Sequence, residues 1–125
     1  MAMNGNATDL YRAHSAQLQT DKQQEYETIL DVTRKLKRAQ NTTKMDFEKL
    51  AITIADNRQL WIAIASVASS DRNMLSSSLR AGLVYLNEFV AVQSSKVLQG
   101  KATIEPLIQV NVSVLKGLAG KVEDR

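Results

Sequence analysis

From Gly5 to Gly82 the chain contains neither glycine nor proline, and its single proline does not arrive until position 106. These are the two residues that end helices most effectively, proline through its missing N–H and its clash with the preceding turn, glycine through its backbone freedom. A chain that withholds both, while using alanine, leucine, glutamine and lysine freely, is built for long helices and gives strands little support. Its 125 residues suffice for one compact domain and are too few for two of ordinary size. The expected fold class is all-α, an antiparallel up-and-down bundle of four main helices.

Residues 1–20 read as an arm, flexible or shortly helical, whose patch of Leu10, Tyr11, Ala13 and Leu18 either frays or docks. Residues 21–120 form the bundle. Its first helix is expected from near Asp21, capped by Thr20 or Asp21, to about Gln40, with Tyr26, Ile29, Leu30, Thr33 and Leu36 on one stripe. Asn41-Thr42-Thr43 is a turn in which Thr42 or Thr43 caps a second helix that runs to about Ala68. Ser69 to Asn73 is a loop, a third helix starts between Asp71 and Ser76, and Gly100 closes it from the left-handed position. Thr103 caps the fourth helix, Pro106 is tolerated in its first turn, and Gly117 and Gly120 stop it before a charged tail, residues 121–125. Connections this short make consecutive helices antiparallel.

The second helix is the hub. Stepping from Phe47 at helical period, its core-facing line passes through Leu50, Ala51, Ile54, Asn57, Arg58, Trp61, Ile64, Ala65 and Ala68. Asn57 and Arg58 interrupt an apolar seam, and Asn111 does the same in the fourth helix. An unpaired amide buried there costs on the order of 2 kcal/mol or more, so each such residue has a partner either inside the fold or on another protein. Gly82 falls within the stripe of the third helix; it costs roughly 1 kcal/mol relative to alanine, which points to close approach by a neighbouring helix or a ligand backbone.

The chemistry of catalysis is missing. Without cysteine there is no disulfide, thiolate nucleophile or thiolate metal site, and His14 is the only histidine. No glycine-rich phosphate loop or metal-ligand spacing occurs, and Asp46, Glu88 and Glu123 lie off the apolar stripes, so no acid–base couple is indicated. The expectation is a non-enzymatic protein with no cofactor, metal or small-molecule substrate. Leu60 to Ala68, the most apolar run, is far short of the roughly 20 residues that cross a bilayer. No secretory leader pattern opens the chain, so a cytoplasmic location is expected. A formal charge of +3 is too small to dictate a partner. Arg34, Lys35, Lys37, Arg38 and Lys44 nevertheless cluster: they are either a solvated face that also suits the helix C-terminus, or a surface for RNA phosphates or an acidic protein.

The string Asn57-Arg58-Gln59-Leu60-Trp61, then Leu79-Arg80-Ala81-Gly82-Leu83, then Gly100 to Ile108 with Pro106-Leu107-Ile108 ahead of Asn111, and finally Gly117-Leu118, resembles the FlaF family of flagellar biosynthesis proteins. Order and spacing agree from about Asp21 to Gly120. Where members often carry prolines before the third helix, this chain has Asn73-Met74-Leu75-Ser76. The resemblance implies a small cytoplasmic protein without catalytic activity that binds flagellin as a secretion or assembly chaperone and takes part in regulating flagellin synthesis, with the regulator FlbT as a further partner. On that reading Asn57, Arg58, Leu60, Trp61, Leu83, Leu86 and Asn111 line or support a groove for an amphipathic flagellin helix. The alternative is a post-transcriptional regulator that contacts flagellin messenger RNA or FlbT through the basic helix face.

Overall fold

The computed structural model describes residues 7–44, 46–70 and 75–123. They form four helices, α1 (Ala7–Asn41), α2 (Phe47–Ala68), α3 (Ser77–Leu98) and α4 (Glu105–Glu123), and no strand occurs among them. α1 packs beside α2 and α4, and α3 packs beside the same two; the α2–α3 contact is the most extensive and the α3–α4 contact the least. The helices thus stand at the corners of a bundle in chain order, with α2 diagonal to α4. The all-α bundle expected from the sequence is what forms.

The helix ends differ from expectation in instructive ways. α1 starts at Ala7, so the segment expected as an arm is helical from there and continuous with the bundle helix. Nothing between Gly5 and Asp21 breaks a helix, and Asp9 in the first turn suits the positive end of its dipole. At 1.5 Å per residue α1 is roughly 52 Å long against roughly 33 Å for α2. Leu10 on this extension is exposed; the side chains of Tyr11, His14 and Leu18 lie outside those described.

α2 starts at Phe47 and is capped by Asp46, whose carboxylate accepts the Lys49 N–H at 2.8 Å. Thr42, expected as a cap, instead turns back to α1: its hydroxyl donates to the Arg38 carbonyl at 2.6 Å and satisfies one of the last acceptors of that helix. At α3 the cap is Ser76, which accepts from Leu79 N–H at 3.1 Å, while residues 71–74 lie outside the described ones. Gly100 has φ +73°, and Gly100 N–H to Val97 and Lys101 N–H to Lys96 close α3 in a Schellman arrangement. α4 does not stop at Gly117; a single helical glycine lowers stability by only about 1 kcal/mol, and the helix runs on to Glu123.

Leu36, Ile54, Trp61, Val90, Val97, Leu107 and Ile108 make the central cluster, and Ile29, Val32, Ala39, Ala68 and Leu115 are buried as well. All four helices contribute. Phe47 is exposed, in contrast to its place on the expected core line, because it opens α2 at the rim of the bundle.

Candidate partner-binding surface

The polar interruptions of α2 and α4 meet inside the bundle. Trp61 Nε1 donates to Asn111 Oδ1 at 2.8 Å, and Asn111 Nδ2 donates to Asn57 Oδ1 at 2.8 Å. Trp61 is 1% exposed and both asparagines are fully buried. Since α2 and α4 are diagonal, this chain of amides joins two helices that share no flank. Each bond adds about 0.5–1.5 kcal/mol net, while a stranded partner costs about 1–3 kcal/mol. Asn57 Nδ2 and Ser94 Oγ, both buried, have no hydrogen-bond partner among the described residues.

Arg58 takes no part in that network. The core line of α2 runs through Ile54, Asn57, Trp61 and Ala68, and Arg58 lies at its edge with its side chain exposed. A long aliphatic stem lets a guanidinium escape to water from such a position. Leu60, Leu83 and Leu86 are half-buried, and Leu83 and Leu86 pack against the central cluster. Trp61 itself is buried within the central cluster.

The exposed apolar surface lies elsewhere. On α3, Gly82, Tyr85, Phe89 and Val92 recur at helical spacing and share a strip turned away from Val90 and Ser94. Tyr85 is 68% exposed, Val92 is 55% exposed, and Phe89 is half-buried. Tyr85 also walls an open hollow of 490 Å³ at the α2–α3 end, with Ala68, Ala81 and Val84. Arg80 and Glu88 place one charge of each sign on that hollow. A Cβ built on Gly82 meets nothing within 4 Å among the described residues, so none of the four helices explains the glycine. Tyr85 and Val92 lie beside the core stripe of α3 and not on it; the signal in the sequence that marks them is a second apolar line offset from the first.

The basic cluster is divided. Lys35, Arg38 and Lys44 gather around a second hollow, of 510 Å³, and α2 adds Lys49 and Ile52 to it. Lys37 faces α4 instead, where its charge acts on Glu105. Hydrogen bonds from Gln40 and from Gln109, and then the charge of Lys37, hold the Glu105 carboxyl below its ordinary value of 4.5. Arg34 is exposed and lines neither hollow.

No helix of the described residues is long and apolar enough to cross a membrane. Comparison with curated proteins and with solved structures gives no match. A family model described as flagellar protein FlaF matches residues 7–118, which takes in α1, α2, α3 and the greater part of α4. With that span matched, the chain belongs to the FlaF family of flagellar proteins.

Proposed function

We propose that this protein is a non-enzymatic, cytoplasmic flagellin-binding protein, a secretion or assembly chaperone whose occupancy by flagellin also feeds into control of flagellin synthesis. The observation that carries the reading is the strip of Gly82, Tyr85, Phe89 and Val92, an apolar surface with an open place at its glycine. Amphipathic helices that await export need their apolar faces covered, and a helix lying along such a strip supplies i, i+3, i+4 and i+7 anchors. The glycine lets the two backbones come close.

Leu83 and Leu86 sit beneath the strip, and Leu60 and Arg58 lie on the neighbouring α2. Asn57, Trp61 and Asn111 act from inside as positioning residues, fixing α2 and α4 and through them the platform on which α3 rests. The test is co-purification of the full chain with fragments carrying the terminal helices of flagellin. A terminal fragment should be retained. Tyr85→Glu should abolish retention, and Arg58→Ala should weaken it, with little change in melting temperature because both side chains are exposed. Failure of every fragment to bind, or binding indifferent to Tyr85→Glu, overturns the reading.

A further inference from the structure

We propose that the hollow between the end of α1 and the start of α2 docks an acidic amphipathic helix of a second protein partner. Lys35, Arg38, Lys44 and Lys49 surround it, and Ile52, 55% exposed, gives it an apolar wall. The one carboxylate lining it, Asp46, is occupied with capping α2 through the Lys49 N–H. Lys35 pairs with Asp31 at 3.4 Å, but both side chains are well solvated and such a pair holds weakly. No carboxylate among the described residues pairs with Arg38, Lys44 or Lys49. Four cations around one concavity repel each other, and an anionic occupant relieves that repulsion.

Helix electrostatics account for only part of the arrangement. Arg38 lies in the last turn of α1, where a cation is favoured. Lys49 lies near the start of α2, where the dipole disfavours it, and Lys44 lies in the connector. The charge of Lys49 thus does nothing for the helix that carries it, and Lys44 belongs to no helix. A protein helix fits better than RNA: no aromatic side chain lines the hollow to stack a base, whereas Ile52 and the methyl groups of Thr42 and Thr53 offer apolar contact between the cations. A helix with carboxylates flanking a leucine at i, i+3 or i+4 spacing meets both features. The hollow shares no residue with the α3 strip, so the inference is independent of flagellin binding.

The test uses the full chain and a labelled synthetic amphipathic peptide with glutamates flanking its leucines, followed by fluorescence anisotropy. The same peptide with glutamines in place of glutamates, and a single-stranded RNA oligonucleotide, are the controls. The glutamate peptide should bind at least about 10-fold tighter than the glutamine peptide, since two or three screened charge contacts together supply about 1.4 kcal/mol. Arg38→Glu with Lys44→Glu should remove that difference, and Ile52→Ser should weaken the peptide several-fold, while the unfolding midpoint stays in place. Retention of a flagellin fragment by the charge-reversed protein should be unchanged. Tighter binding of RNA than of the peptide, with Ile52→Ser having no effect, makes this a nucleic-acid surface and overturns the proposal. Equal binding of the two peptides reduces the hollow to a solvated cationic face and overturns it equally. Loss of flagellin binding in the charge-reversed protein overturns the claim of a separate partner.

Discussion

α3 carries two apolar lines, and they end in different surroundings. The inner one, Leu83, Leu86, Val90 and Val97, meets the central cluster; the outer one, Gly82, Tyr85, Phe89 and Val92, meets solvent along much of its length. The lines are offset by a single position, about 100° around the axis. Their chemistry differs little. What separates them is whether the chain itself supplies the opposing surface, which means that apolar periodicity locates faces that need covering without saying what covers them. The inner line is answered by α2 and α4, and the proposal is that the outer one is answered by flagellin.

Substitutions that act on one side alone sharpen this contrast. The largest effect belongs to the core: Trp61→Ala should lower unfolding free energy by about 3–5 kcal/mol, through lost packing and a stranded Asn111 carbonyl, as read by urea titration. Tyr85→Ala, an aromatic truncation of similar kind, should change stability by only about 0.5 kcal/mol. If Tyr85→Ala proves nearly as damaging as Trp61→Ala, the outer line is part of the core and the contrast collapses. Next comes Asn111→Ala, which removes the acceptor of the indole N–H and the donor to Asn57; about 2–4 kcal/mol should be lost.

Smaller, and more telling in sign, is Gly82→Ala. With open space at its Cβ the substitution should raise stability by about 0.5–1 kcal/mol, and it should weaken retention of a flagellin fragment. Opposite signs in the melting and binding assays sharpen the comparison; unaltered binding breaks it. The smallest effect is at the α1–α4 contact. Because the folded pKa of Glu105 is depressed, its bond with Gln40 contributes stability above the ordinary carboxylate range and loses it as pH falls through the lowered value. Wild type and Gln40→Ala should therefore differ slightly near neutrality and converge in acid, as read by urea midpoints; this exposed group should show no more.

Much of the fold was legible because its punctuation is sparse. Gly100 and Pro106 mark the α3–α4 connection, and Ser76 lies within the range where a cap was expected. The start of α2 was less legible, since Thr42, Thr43 and Asp46 are all capping residues and choosing among them requires knowing that Thr42 is engaged with Arg38. The start of α1 was illegible for the same reason that long helices were legible: nothing interrupts the chain there. Of the candidate site, the place of the two asparagines in apolar seams called for partners but left open whether these lay inside the fold or on another protein; the structure pairs them with each other. The bond of Trp61 to Asn111 and the grouping of Lys49 and Ile52 with a basic cluster on another helix depend on which helix stands beside which, and local sequence does not encode that.

The diagonal chain from Trp61 through Asn111 to Asn57 also fixes how far α4 can slide. One helical turn along α4 in either direction from Asn111 stands a leucine, Leu107 or Leu115. A one-turn slip, about 5.4 Å, would thus set a hydrocarbon against the indole nitrogen and leave both the tryptophan and the α2 amide stranded. Hydrocarbon packing alone tolerates several such settings with little preference. One amide at one height leaves the bundle a single notch, and every outward-facing residue inherits its elevation from it.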